Sequence, residues 1–470
     1  MSSLIKNEIT KILKKKSLYI MLIIIFAFII ISNVLYKYAY SSVIGGSYYS
    51  ESYINILEEE IKKLNPENPA DVQDYISYKT DIDTYNLLKK YDKNSWQYEV
   101  ILNTGAGYIS ELNYATYQEK NEQKIQELTN QYNSFVETLN SGDWRKFAEE
   151  ELNLAKQRKE LAGENTDPML DLQIEALQMR LDYNIEYGNN YKNQALSKYS
   201  ESKIKVLEYE GKNNISYDEK LSYQEAKEDF EKSKYVLEND KDIFNQTNAR
   251  GVLLNTFSEY ELFIIITVVL IAGAIVSEEF NKGTIKLLLV RPYSRAKILF
   301  AKYVVVLLTV IFIMVAILIM QFIIAGIFFG YDSLSIPAVE YNHNANSIVE
   351  TNVILSTILT GFAKMPIYIL IGTLAFALST LFTNTAVAIT ISLLGYMASS
   401  MVNQFAYYYN LEWLKYFVTP NWDFTQFLNG KLPLMEGLNI PFSIIICLIY
   451  FAIMMIPTFI VFKKKNIKNI

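Results

Sequence analysis

The sequence predicts an all-α polytopic membrane protein: six transmembrane helices, with a large helical, coiled-coil-bearing extracellular domain between the first two. Three observations predict it. Uncharged apolar runs recur at about the 20-residue length that bilayer hydrocarbon demands of a helix. The 470 residues are 51% hydrophobic and only 20% charged, a mixture of lipid-facing and water-facing parts. The charge is also unevenly divided. Residues 41–258 hold 25 Lys and Arg against 39 Asp and Glu, net −14, and the remainder holds 19 against 11, net +8.

Residues 17–36 are uncharged and rich in Ile, Leu and Phe. This run is longer than a signal-peptide core and has no clear cleavage site after it, so it reads as a retained first span. Residues 262–277 form a short second run, which 252–260 extend with Glu259 and Glu261 at the interface. Residues 303–331 suit one tilted crossing. Residues 365–411 are too long for one crossing and suit two, broken at Thr383-Asn384-Thr385. Residues 437–462 complete six.

Lysine and arginine decide orientation. Lys6, Lys11, Lys14, Lys15 and Lys16 precede the first span. Lys282, Lys286, Arg291, Arg295, Lys297 and Lys302 join the second to the third, and Lys463, Lys464, Lys465 and Lys468 end the chain. Only Lys37, Lys364, Lys415 and Lys431 fall at the opposite face. Both termini are therefore expected to be cytoplasmic, and residues 41–255 extracellular. Residues 1–16 read as an amphipathic helix with Leu4, Ile5, Ile9, Ile12 and Leu13 on one face, suited to the headgroup region or acting as a topology signal. The remaining divisions are a span at 17–40 and a five-helix membrane domain at 256–470.

The acidic insertion lacks the clustered basic residues that displace counterions from phosphates, which excludes nucleic acid as a partner. Cys447 is the only cysteine and lies in an apolar run, so neither a disulfide framework nor a cysteine metal site can be built. His343 is the only histidine and sits in a polar stretch; no metal or cofactor is assigned to the chain. Low Gly and Pro with abundant Lys, Asn, Ile and Tyr points to an AT-rich bacterium and its cell membrane. Within the insertion, Ile125, Leu128, Tyr132, Phe135 and Leu139 step by three and four, as do Leu170, Ile174, Leu177 and Leu181. Helix breaks are expected at 65–69, 105–107, 141–143, 163–168, 188–190 and 211–214. The many tyrosines read as packing at the margin of a thin core.

The most specific stretch is the expected cytoplasmic loop at 277–297. Thr284 is a reasonable N-cap, 285–290 a short apolar helix, and Pro292 a stop that keeps Arg291 out of helix. Ser294 can cap the next helix. The product is a short helix lying along the membrane, presenting leucines between charges.

At this point the sequence resembles the permease subunits of type 2 ABC exporters. Their pattern here is an acidic residue after the second span, Gly-Thr, a Leu-rich helix, Pro, Ser-Arg, and a Lys opening the third span. The matching residues are Glu278 or Glu279, Gly283, Thr284, Leu287, Leu288, Pro292, Ser294, Arg295 and Lys302, with Ile285 opening the short helix between them. The likeness extends through 374–382 with Asn384, 416–420 and the basic tail. It departs from the family in the long insertion, which puts the substrate class in doubt.

The resemblance implies that about 283–292 is a coupling helix received by an ATPase subunit. The chain has no Gly-x-x-x-x-Gly-Lys-Ser/Thr phosphate loop, so ATP and Mg would be bound by that partner. The implied assembly has two ABC ATP-binding subunits and a second permease copy or paralogue. It would move a hydrophobic or amphipathic cargo (peptide, lipid or antibiotic), because charge is nearly absent from the spans. This chain itself would be a transport subunit and not an enzyme. The competing readings are a cell-envelope scaffold or secretion accessory resembling phage-infection-type proteins, and an extracellular peptide sensor.

Overall fold

A computed structural model of the chain describes residues 1–38, 49–163, 167–212, 214–285, 293–409 and 411–465. It consists of two compact units, one formed by Met1–Tyr40 with Asn245–Ile470 and the other by Ser41–Phe244.

The first unit contains, among the described residues, six helices long and apolar enough to cross a membrane: Lys16–Tyr38, Glu261–Asn281, Arg295–Phe329, Val353–Phe382, Thr385–Tyr408 and Ile440–Lys464. The protein is thus an all-α polytopic membrane protein. Thr383 takes φ +56 and ends the fourth helix, and Asn384 starts the fifth by accepting hydrogen bonds from the Ala386 and Val387 amides. The break therefore lies where the 365–411 run suggested.

Two boundaries differ from the hydropathy reading. The fourth span starts at Val353, capped by Asn352, and carries Lys364 inside the helix. An uncharged-run criterion stops at Lys364, but the lysine is paired with Glu261, and pairing makes a charge tolerable at membrane depth. Residues 245–255, read as part of the insertion, pack with the membrane helices instead. Ala249 and Val252 bury against Ala325, and the Arg250 side chain donates to the Pro337 carbonyl at 2.9 Å.

The second and fourth spans form the centre, with 67% and 61% of their apolar stretches buried; the fifth and sixth, at 17% each, present most of their surface outward. Gly372 lets the two central helices approach, since a Cβ there would lie 2.8 Å from Val268 Cγ1. A buried polar network ties in the first and third spans. Tyr260 donates to Gln321 Oε1 at 3.0 Å, Asn33 Nδ2 donates to the same oxygen at 3.2 Å, and Ser32 shares a 2.7 Å bond with the Tyr260 hydroxyl. A two-stranded antiparallel hairpin, Ala338–Asn342 with Ser347–Thr351, lies between the third and fourth spans. Its turn is held by His343, whose amide donates to the Asn429 carbonyl at 2.9 Å.

In the second unit every described element is helical: Glu51–Ile61, Val72–Leu88, a run from Trp96 to Glu119, Glu122–Ser141, Trp144–Ala162, Pro168–Asp182, Tyr191–Tyr209 and Tyr217–Asn239. The caps are those the sequence offers: Asn121, Asp143, Asp167, Asn190, and a full capping box of Ser216 with Glu219. Leu128, Phe135 and Leu139 are buried, as the heptad spacing required. Leu170, Ile174, Leu177 and Leu181 are only half-buried, and Leu172 and Arg180 take the inner positions. The break expected at 105–107 is absent. The chain passes through a π-helical turn at Ile101–Gly105, because Gly105 allows the Phe135 ring to sit where a Cβ would be 2.9 Å away. An aromatic core of Trp96, Phe135, Phe147 and Tyr187 fills the space between these helices.

Candidate functional site

The candidate site lies where the second span ends and the third begins. The N-terminal helix Ser2–Leu13 buries Leu4, Glu8 and Ile12, spaced four apart on one face; Leu13, placed on that face from the sequence, is 44% exposed. A carboxylate on a buried helix face must find partners, since an unpaired buried charge is costly. Glu8 finds two. Lys11 donates to its Oε1 at 2.8 Å and Lys302 to its Oε2 at 2.8 Å. The same two lysines both donate to Glu279 Oε1, at 2.8 and 2.7 Å.

Two ammonium groups and two carboxylates thus alternate in a closed, electrically neutral ring. Its centre is Lys302, which is fully buried and also donates to the Ile275 carbonyl at 3.2 Å. Burial alone would push the Glu8 carboxyl up, but Lys302 and Lys11 outweigh it and hold the group below its ordinary 4.5. Burial likewise pulls the Lys11 ammonium down, and its bonds to Glu279 and Glu8 outweigh that, so it sits above 10.5.

Lys302 belongs to the third turn of the Arg295–Phe329 helix. That helix is about 52 Å long against about 30 Å of hydrocarbon, so its first turns have room to stand clear of the lipid. Glu278 stands beside the ring, bonded to Lys15 at 3.0 Å and Lys282 at 3.2 Å.

The far end of the connecting segment is tied to other spans. Ser294 caps the third span by accepting from the Lys297 amide at 3.4 Å. The Arg295 guanidinium donates to the carbonyls of Lys463 and Lys465, at 3.2 and 2.8 Å. These are the orphan acceptors at the end of the sixth span, where a cation is favoured. Lys465 in turn donates to the Thr380 and Leu381 carbonyls at the end of the fourth span. Ser277 completes the frame: its amide donates to Ser379 Oγ at 3.0 Å, and its hydroxyl shares a 2.6 Å bond with Thr385.

Of the residues singled out from the sequence, Glu279 and Lys302 meet in the ring, Glu278 flanks it, and Ser294 and Arg295 anchor the other end. Gly283 takes φ +68, a conformation natural to glycine. Thr284 donates to the Glu279 carbonyl at 3.4 Å, and Ile285 is buried in the membrane core cluster. Leu287, Leu288 and Pro292, with the rest of the expected helix beyond Ile285, lie outside the described residues. Sequence reading missed Glu8, Lys11 and Lys15. The available signal was Glu8 itself, set midway between Leu4 and Ile12 on the apolar face.

The family described as "Protein of unknown function (DUF2705)" matches residues 221–468. The chain is 32% identical over 201 residues, 43% of its length, to the uncharacterized protein YhcI of Bacillus subtilis (strain 168), and this match spans 64% of that protein. It is 28% identical over 221 residues, 47% of its length, to the uncharacterized membrane protein YdbK of the same organism, spanning 84% of that protein. The chain therefore matches just under two thirds of YhcI's length. No solved structure matches.

Proposed function

We propose that this chain, which belongs to the DUF2705 family of proteins of unknown function, is the membrane-spanning permease subunit of an ATP-driven exporter. The observation that carries the reading is the double anchorage of the segment between the second and third spans. One end is fixed by the ring of Glu8, Lys11, Glu279 and Lys302, and the other by Arg295 on the carbonyls of the sixth span. A force applied to 283–292 would pass through charge-assisted bonds, the strong class of hydrogen bond, into the N-terminal helix and the second, third, fourth and sixth spans.

In this reading a separate ATP-binding subunit holds ATP and Mg. Its closure presses on Leu287 and Leu288, and two permease copies rock to open a path for a hydrophobic or amphipathic cargo. The basic end of the bundle faces the cytoplasm, and 41–244 lies outside the cell. By the resemblance, Leu287, Leu288 and Pro292 would belong to the element received by the ATPase, and Ser294 and Arg295 fix the start of the span that follows. Substituting Leu287→Asp with Leu288→Asp in the full chain should leave the membrane unit folded and abolish cargo-dependent stimulation of the partner's ATP hydrolysis. Unchanged stimulation would count against the assignment.

A further inference from the structure

At the end of the membrane unit opposite the ring, Glu259 closes the short helix Thr256–Glu259, just before the second span. Its Oε2 is buried and takes no hydrogen-bond partner among the described residues. The groups that face the carboxyl are neutral: the Tyr36 and Ser32 hydroxyls of the first span, with Tyr260 beside them. The cations of the surrounding elements are committed elsewhere. Lys37 donates to the Phe328 carbonyl at 2.6 Å, Arg250 to the Pro337 carbonyl at 2.9 Å, and Lys364 is paired with Glu261. From the third span the polar group is Gln321, and from the fourth Tyr368, turned to the Phe257 carbonyl. Glu259 has thus lost water without gaining a cation, and burial pushes its carboxyl above the ordinary 4.5.

The hydrogens beside it can be counted. Asn33 Nδ2 donates to the Ile29 carbonyl at 2.7 Å and to Gln321 Oε1 at 3.2 Å, which fixes both amides. Gln321 Oε1 is therefore an acceptor, and the Tyr260 hydroxyl spends its hydrogen there, at 3.0 Å. The 2.7 Å bond between Tyr260 and Ser32 must then use the Ser32 hydrogen, for which the Ile29 carbonyl at 3.1 Å also competes. Ser32 is left with lone pairs and nothing to donate to Glu259. Tyr36 has a single hydrogen to offer, and an ionised carboxylate has about four lone-pair sites to fill.

We propose that Glu259 is a proton-binding site: at neutral pH it carries a proton, donates it to the Ser32 hydroxyl, and completes a chain through Tyr260 and Gln321 to Asn33. The chain joins the approach to the second span to the first and third spans, all within the membrane unit. Losing the proton breaks its first link and leaves an uncompensated buried charge, so the state of Glu259 controls how firmly the three spans are held together at this end. Ionisable groups buried within a membrane bundle mark functional positions. The site does not depend on the transport reading, because the coupling segment lies at the other end of the bundle.

The test is infrared difference spectroscopy on the detergent-solubilised full chain at neutral pH, native against Glu259→Gln. The expected difference is the C=O stretch of a protonated carboxylic acid, present in the native chain and absent in the variant. Should Glu259→Gln fail to fold, Glu259→Asp keeps the acid and should shift the same band. Thermal unfolding gives a second readout. Gln is a neutral stand-in for the protonated acid, so the gap in melting temperature between Glu259→Gln and the native chain should be level below pH 4.5. It should widen in favour of the variant as the pH rises above that value, because the unfolded chain then releases the proton that the folded chain retains. A spectrum unchanged by either substitution, or a gap that does not vary with pH, would overturn the proposal.

Discussion

Glu8 and Lys302 meet at 2.8 Å across 294 positions of sequence, and their contact fixes the N-terminal helix to the root of the third span. Removing one member of a buried ion pair leaves the other uncompensated, at a cost of about 3–5 kcal/mol. Lys302→Met should fall in that range, because it removes the buried cation and leaves Glu8 and Glu279 to share the exposed Lys11. Glu8→Gln should cost less, since Lys302 keeps Glu279. A double-mutant cycle on the detergent-solubilised chain, read by thermal unfolding, should return a strongly non-additive pair; additive losses would mean that the two groups do not interact.

The ring gives stability a dependence on pH at both extremes. Glu8 is held below 4.5 in the folded chain, so its contribution is complete above that value and disappears as the pH falls through the folded one. The stability difference between the native chain and Glu8→Gln should therefore be constant above pH 4.5 and shrink below it. Lys11 is held above 10.5, so its contribution is complete below that value and disappears as the pH rises past it. The difference between native and Lys11→Met should be flat to about pH 10.5 and then shrink.

At the opposite end of the bundle, Lys364 pairs with Glu261, which also accepts from the Tyr396 hydroxyl at 2.7 Å, and Asp423 lies 3.7 Å from the same lysine. Lys364→Met should cost about 3–5 kcal/mol by leaving two carboxylates without their cation. Adding Glu261→Gln should recover part of that loss. Unfolding of the single and double variants measures both effects.

Gly251 is packed against backbone, where an added Cβ would approach Gln246 Cα to 2.4 Å. Backbone cannot swing aside as a side chain can. Gly251→Ala should therefore destabilise the membrane unit by about 1–3 kcal/mol through overpacking, although it adds a single methyl group. Gly107→Ala, where a Cβ meets nothing within 4 Å, is the control and should be neutral or slightly stabilising in its helix.

The spans and the turn at Thr383-Asn384 were legible because each depends on local chemistry: apolar length, or a capping side chain at a break. What escaped depends on pairing across the chain. Lys364 looked like the edge of a span because nothing near it in sequence reveals Glu261. Lys11 and Lys15 looked like a topology signal, and Glu8 drew no notice, because their partners Glu278, Glu279 and Lys302 are more than 260 positions away. The π turn at Ile101–Gly105 was read as a break because two glycines flank Ala106; tertiary packing of Phe135 against Gly105 keeps the helix going. In the segment between the second and third spans the cap Ser294 was legible because it is local, whereas the long-range bonds of Arg295 to the Lys463 and Lys465 carbonyls and of Lys11 to Glu279 were not.

The central claim, that 283–292 transmits force from an ATP-binding subunit, is tested most directly by purifying the full chain from its native membranes. Any co-purifying chain that carries a phosphate-binding loop is then assayed for ATP hydrolysis, with and without Leu287→Asp and Leu288→Asp. The expected result is a stoichiometric ATP-binding partner that is lost, or released from control, in the double variant. No ATP-binding partner, or one whose association and activity ignore both substitutions, would contradict it and favour the envelope-scaffold reading.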